Sequence, residues 1–569
     1  MSRLAGKSPA LCTDKPLEQI VLRDKLALLR QLLKSCFGPT GRLKHVRNNI
    51  GGRVVTTSTS SVLLSAISST EPLLNLIKAS VLNHVSRFGD CGLFSAILCL
   101  SLIERATRSG LRTRVAVGVN AHLLGLCTAY LRGDACGCKV KLDFCSSRDS
   151  IKLALGVISS KAACVLTRPE ALHVSTLAVE AFLLTVPRDV TGAVTLGRVV
   201  TVSAEGHSVL DSAVFPGLLV DVPDDFAHGE PERVHADPPR VVLFGASLAG
   251  DLSELGDGTI EARRGEADAD SQILDQLLGL GKRAVEDEVK LFVCQKVVHP
   301  VLQRFLRDHG VMVIQRLGGA LMEPLSRLTG AQPVATLHRT VPAGAYGRLR
   351  GVRTRRFGSK TMLHLQPLGD SSICTLGLCH RNETMLSELK VACQKAEQVL
   401  RLTLREPSAL HGGGCTETHL AAHVRHQSLK DVAEVASALR CSRAECSVAV
   451  EGFCAALDSV AAALEHDGGA SLIDLTHAHR WAFPADGTKE HAGAILSLCG
   501  CGLVKSSPDK KWTYLNTKSP HFSPAPPSRD ASLQPRVLDS FTAKVNAMQV
   551  AVETANLALD VQFIIQDVN

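Results

Sequence analysis

Leu22, Leu26, Leu29 and Leu33 recur at steps of four, three and four residues. That spacing places them on one face of a helix over 16–36, which Gly38 and Pro39 end. Apolar runs predict further helices over 92–108 and 114–131, so the first block is mainly helical. Two more helical patterns occupy 151–160 and 170–185. After Val186-Pro187 the texture changes: 193–203 and 209–222 are rich in Val, Leu and Thr, as strands are. Residues 240–244 read as a short buried strand. Residues 249–271 are acidic and glycine-rich, which predicts an exposed excursion.

Helix 272–286, strand 291–294, helix 301–309 and strand 311–314 then alternate, an α/β texture with a right-handed crossover. Helices return over 385–404 and 415–463. Residues 506–536 are rich in Pro, Ser, Lys and Arg and predict a loop insertion. In the final helix Val545, Met548, Val552, Ala555 and Leu559 repeat at spacings of three and four, so it packs along its whole length. The order helical, mixed, α/β, mixed, helical implies one domain built from both chain ends, with others inserted between.

At 569 residues the chain exceeds a single core, and about three compact units are expected. The longest nearly apolar run, 95–103, is shorter than the roughly 20 residues a membrane span needs. The N-terminal residues lack the apolar stretch of a signal peptide. With 19 Cys and no export signal, the thiols are expected to be reduced and cytosolic. A net charge of +8 is small for this length, and three Tyr and two Trp make no stacking platform, so nucleic-acid binding is not expected. The basic run 348–356 reads as a strand edge blunted by charge.

Candidate chemistry lies in glycine motifs. Gly38-Pro39-Thr40-Gly41 closes the first helix, and Gly412-Gly413-Gly414 opens a later one. Glycines let backbone N–H groups approach a phosphate, and a helix N-terminus favours an anion. Alone, the first reads as a plain helix stop, and the second as a flexible turn. Asp90, in Gly89-Asp90-Cys91-Gly92, alone reads as a helix cap. Cys136-Gly137-Cys138 and Cys499-Gly500-Cys501 would make a four-thiolate zinc site if the chain ends met. Structural zinc sites usually leave two or more residues between paired cysteines, so thiols without metal are expected. His411 is read as a packing residue.

Taken together, the two glycine motifs, the Asp90 loop and the Ala551-Val552-Glu553-Thr554-Ala555 helix resemble the group II chaperonins, the family of the archaeal thermosome and the eukaryotic cytosolic chaperonin. Ser159-Ser160-Lys161, Leu177–Ala181, Val293-Cys294-Gln295-Lys296 and Gly330-Ala331-Gln332 extend the likeness over nearly the whole chain. The resemblance implies an α/β multidomain subunit: equatorial residues 1–135 and 409–569, the latter with the 506–536 insertion; intermediate residues 136–204 and 366–408; and an apical domain at 205–365. It implies a nucleotide site, vestigial here, of Gly38, Pro39, Gly41, Asp90, Gly412, Gly413, Gly414 and Asp539.

The departures from that pattern are chemical. The family's two phosphate-contacting threonines fall on Gly92 and Leu93. Its magnesium-holding aspartate falls on Ser58, a poor ligand for a hard dication. Its water-positioning aspartate falls on Lys395. Loss of such a group costs about 10²–10⁴ in rate, so no catalytic residue and no required cofactor are expected, and ATP with magnesium is doubtful. Stretches such as 36–44, 412–421, 464–469 and 499–503 narrow the resemblance to one divergent branch. That implies an assembly factor of the cytoplasm, centrosome and ciliary base, with the nucleus possible. Its implied partners are other divergent chaperonin-like proteins, cytosolic chaperonin subunits and subunits of the ciliary trafficking coat.

Overall fold

The computed structural model describes residues 11–47, 54–187, 195–222, 238–250, 269–335, 341–483, 499–502, 511–515, 524 and 536–566. It divides into two compact units, Met1–Val179 with Ser387–Asn569, and Glu180–Leu386.

The first unit is built around a helix that is apolar on every side. Gly92–Ser109 is buried continuously from Gly92 to Ile103, as a core helix must be. Ile20–Lys34 packs on it through the four buried leucines, and starts later than its pattern because Pro16–Glu18 forms a separate 3-10 turn. Helices Pro72–Phe88, Arg443–Ala462 and Phe541–Asp560 close around it. The predicted 415–463 helix is two helices, Cys415–Ala438 and Arg443–Ala462. Arg440 takes a positive φ of 51° between them, and a Ser442–Glu445 capping box starts the second. Thr113–Arg132 has the length and composition to cross a membrane. Here its Val115, Val119, Leu123, Cys127 and Leu131 are buried, and the helix packs on Arg443–Ala462 and Phe541–Asp560.

Two pairings join the chain ends. Leu11–Asp14 runs antiparallel to Phe563–Gln566. Ser408–His411 lies between Leu538–Ser540 and Lys139–Lys141, antiparallel to both, so three distant segments share one sheet and the triple glycine follows its central strand. The final helix buries Val545, Met548, Val552 and Ala555 as its pattern predicts. Leu559 is only half-buried, and Ala547, Ala551 and Ala558 complete the face. The predicted 506–536 loop holds a strand, Trp512–Tyr514, paired with Ala470–Asp474, which also pairs with Arg480–Phe483. Apart from 511–515, 524 and 536, that stretch lies outside the described residues.

The second unit has the expected α/β texture. Met312–Ile314, Val289–Cys294 and Arg240–Phe244 run parallel, with Gly347–Arg348 antiparallel at the edge. Ala269–Glu286 precedes the middle strand and Pro300–Asp308 follows it. The predicted 209–222 strand is a 3-10 turn and two short strands, Ala213–Pro216 and Leu218–Asp221, parted by Gly217 at φ 91°. The predicted 193–203 strand lies at Arg198–Glu205. The basic run 348–356 starts at the end of the edge strand Gly347–Arg348 and continues through the edge strand Gly351–Phe357, with Arg353, Arg355 and Arg356 exposed. Most of the acidic excursion, 251–268, lies outside the described residues.

Two expectations follow for the first unit. Removing residues 537–569 takes away a core wall whose large side chains are each worth roughly 1.5–3 kcal/mol. That approaches the net stability of a domain, so the truncated chain should show no cooperative melt, whereas Asp90→Ala should melt like the parent. The second concerns His419. Its Nδ1–H donates to the His477 carbonyl at 3.1 Å, so Nε2 accepts from the Tyr130 hydroxyl at 2.7 Å. Burial pushes this imidazole down to about 4. The unfolded chain takes up the proton first, so the stability is complete above about pH 6.5 and is lost as pH falls towards 4. By pH 5 the loss is about 2 kcal/mol. Melting midpoints between pH 7 and 5 should fall, and fall less steeply in His419→Gln; equal slopes would refute this.

Candidate functional site

The first unit contains a cavity of about 390 Å³ lined by both glycine motifs. Gly38, at φ 85°, turns the chain out of the first helix, and Gly38, Pro39 and Thr40 form one wall. Gly413 and Gly414 form another, where the sheet strand Ser408–His411 hands over to the helix Cys415–Ala438. Asp90 and Asp539 also line it. Of the expected site residues, Gly38, Pro39, Asp90, Gly413, Gly414 and Asp539 therefore converge. Gly41 does not reach this cavity and lines a neighbouring one. Gly412 sits behind the wall, its N–H donating to the Val537 carbonyl at 3.0 Å.

Sequence reading missed the charged floor. Lys544 is buried between Asp539 (2.9 Å) and Glu417 (2.5 Å), with its ammonium 4.3 Å from the centre of the Phe94 ring. Burial opposes its charge, but the two carboxylates hold its pKa well above the ordinary lysine range. Glu417 Oε2 and Arg480 Nε, both on cavity-lining residues, lack a partner among the described residues. The short separation of Lys544, in the first turn of the last helix, from Asp539 in the strand just before it was the available signal.

Asp90 does not stand open. Its carboxylate is 3.5 Å from the Lys161 ammonium, and its carbonyl oxygen meets His84 Nε2 at 2.9 Å. Lys395 donates to the Val85 carbonyl at 3.3 Å. Burial and Lys161 pull the Lys395 ammonium down, while Asp90 pushes it up. Two ammonium groups thus share the surroundings of one carboxylate.

Ser58 is turned away from the cavity altogether. The Thr57 and Thr59 hydroxyls and the Ser58 N–H all donate to the buried Glu388 carboxylate, at 2.6–3.1 Å. Ser58 Oγ accepts from the Ala163 N–H at 3.1 Å. Ser60, not Ser58, lines the cavity. Gly92 is fixed by packing: a Cβ there would come 2.3 Å from Ser60 Oγ and 2.4 Å from Val85 Cγ2. Leu93 puts an apolar side chain on the wall. A hard dication needs several carboxylate and phosphate oxygens. Here the Asp90 carboxylate is paired with Lys161, Asp539 and Glu417 are paired with Lys544, and Ser58 brings no carboxylate, so these positions do not fit a magnesium ion.

His411 is buried with its ring edge-on to His479 at 5.3 Å, and burial pushes it down to about 3, so it is a neutral packing group. Cys136 and Cys138 are buried beside the Lys139–Lys141 strand. Cys499 and Cys501 instead gather with Cys415 and His479, so the four-thiolate grouping is not formed.

The model of the TCP-1/cpn60 chaperonin family matches residues 29–569. The chain is 44% identical over 573 residues to the molecular chaperone MKKS of Homo sapiens and, likewise, of Mus musculus, with the whole of both chains covered. It is 22% identical over 540 residues to a thermosome subunit of Pyrococcus abyssi, covering 90% of this chain and 91% of that one. The multidomain α/β fold is that of a group II chaperonin-like subunit. A match that begins inside the first helix and runs to the last residue, over the very segments that frame the cavity, leaves one conclusion: the chain belongs to the TCP-1/cpn60 chaperonin family.

Proposed function

We propose that this chain is a chaperonin-like assembly factor that works by binding, without effective ATP hydrolysis. The observation that carries this reading is the state of the three hydrolytic positions. Ser58 is spent on Glu388 and Ala163, Leu93 offers no hydroxyl, and Lys395 brings a cation where a water-activating carboxylate is required. A chaperonin cycle needs magnesium to neutralise phosphate charge and a base to align water; the positions 58 and 395 that would serve them carry no carboxylate, and Asp90 is paired with Lys161.

The stretches 36–44, 412–421, 464–469 and 499–503 resemble the chaperonin-like protein of McKusick-Kaufman and Bardet-Biedl syndromes. The full-length identity to the MKKS chaperones supports placing the chain in that branch. On this reading its clients are subunits of the ciliary trafficking coat complex. It acts with other divergent chaperonin-like proteins and cytosolic chaperonin subunits, in the cytoplasm and at the centrosome and ciliary base. It needs no cofactor.

A second reading, an ATP-hydrolysing subunit with a remodelled site, draws on the 390 Å³ cavity with its two glycine walls and the unpartnered Arg480 Nε. The two diverge in one assay. Phosphate release by the pure full-length chain should stay at the buffer level with saturating magnesium-ATP. Restoring Asp at 58 and 395 together should not raise it, because no phosphate-contacting hydroxyl returns at 92 or 93. Steady, magnesium-dependent release abolished by Asp90→Ala would establish the second reading instead. Purifying the chain from ciliated cells and identifying what co-purifies tests the partners; recovery without any chaperonin-like or coat subunit would count against them.

A further inference from the structure

Behind the triple glycine, away from the cavity floor, four buried side chains aim donor atoms at one point. Cys415 is the first residue of the helix Cys415–Ala438, His479 ends the turn after the strand Ala470–Asp474, and Cys499 and Cys501 flank Gly500. Their Sγ atoms and a ring nitrogen all lie within 4.8 Å of one another. His479 Nδ1 is 3.3 Å from Cys499 Sγ and 3.5 Å from Cys501 Sγ, and the two sulfurs are 3.0 Å apart. Among the described residues this is the group in which three or more metal-ligating side chains converge.

We propose that Cys415, His479, Cys499 and Cys501 form a structural zinc site. Tetrahedral zinc, with Zn–S near 2.3 Å and Zn–N near 2.0–2.1 Å, places its donor atoms roughly 3.5–3.8 Å apart. The His479 separations of 3.3 and 3.5 Å lie just below or at that range, and the 3.0 Å Cys499–Cys501 pair would open by roughly 0.5–0.8 Å, so a central ion needs only small side-chain adjustments. The donor set is three soft sulfurs and one imidazole, which selects zinc over hard, oxygen-seeking cations. Four protein ligands leave no open position, which marks a structural site and not a catalytic one. On loading, up to three thiol protons leave as zinc enters. The resulting net negative charge faces Arg480, which is buried beside Cys415.

The surroundings suit a fixed ion. Cys415, Cys499 and Cys501 pack with the fully buried Trp481, and the partly buried Leu472 and Trp512 pack against them, so the four donors are largely screened from solvent. Asp474 organises the His479 turn by accepting from the backbone N–H groups of Thr476, His477 and His479. The short separation of Cys499 and Cys501 is the feature that argued against zinc from sequence. Cys415 and His479 come from elsewhere in the chain, so the close pair supplies only two adjacent corners.

The site has a mechanical role. The sheet of Ala470–Asp474, Arg480–Phe483 and Trp512–Tyr514 is small, and units with little core commonly need a metal or crosslink. Gly500 lies backbone to backbone against Gly413: a Cβ on Gly413 would come 2.2 Å from the Gly500 oxygen. The Gly500 N–H also donates to the Arg480 carbonyl at 2.7 Å. Zinc would staple this sheet to the wall of the glycine-lined cavity.

The test uses the full-length chain, purified under reducing conditions. Elemental analysis should find about one zinc per chain. After chelation, cobalt should restore one equivalent and give the strong thiolate-to-cobalt charge-transfer absorption of a tetrahedral site. Chelation should lower the melting midpoint, and zinc should restore it. Cys499→Ser with Cys501→Ser should bring bound metal to background, while Cys12→Ser, at an exposed position, should keep it. Because the double variant could fail to fold, the wild-type metal content and cobalt spectrum decide. Reduced wild-type chain that holds no zinc and takes up no stoichiometric cobalt would overturn the proposal. So would a Cys499–Cys501 disulfide found by mass spectrometry in freshly purified protein.

Discussion

A buried ammonium must be neutralised where it sits, and Lys544 is neutralised by groups from separate parts of the chain. Asp539 comes from the strand before the final helix, Glu417 from the helix after the triple glycine, and the Phe94 face from the central apolar helix. Both carboxylates and the ring converge on this one ammonium at the cavity floor, so these elements are held in one register. That register, with Ser408–His411 lying between Lys139–Lys141 and Leu538–Ser540, brings the two glycine motifs to face each other across the cavity. The cavity is thus a consequence of closing the chain ends on one another.

The reactive positions are tied into the fold in other ways. Glu388 gathers the donors of Thr57, Ser58 and Thr59, so the 57–59 loop is a buried hydrogen-bond network and not a ligand arm. Gly92 is held small by Ser60 and Val85. Asp90 is matched by Lys161, with Lys395 close by. Each substitution is locally satisfied, which is why an aspartate returned at one position would meet a site already closed around a different residue.

The frame was legible because it rests on periodicity and backbone rules. Leu22, Leu26, Leu29 and Leu33 and the final helix face are read directly from spacing, and the glycine motifs from their need for positive φ and close approach. Glu388, Glu417 and Lys544 were not singled out, because a charged residue inside a helical pattern looks the same whether it faces solvent or a buried partner distant in sequence. The break at Arg440 was hidden in a run of helix-forming residues, and the Trp512–Tyr514 strand in a Pro- and Ser-rich stretch whose pairing partner lies at Ala470–Asp474. The Cys415–His479–Cys499–Cys501 group was missed for the same reason: three segments have to meet before it exists.

The central proposal is that this chaperonin frame lacks the ligands that couple magnesium to phosphate. Magnesium dependence of nucleotide affinity tests it most directly. Calorimetric titration of ATP into the full-length chain, once with magnesium and once with chelator, should give the same isotherm, whether or not any binding is seen. Tightening by ten-fold or more on adding magnesium, lost in Asp90→Ala, would contradict the account.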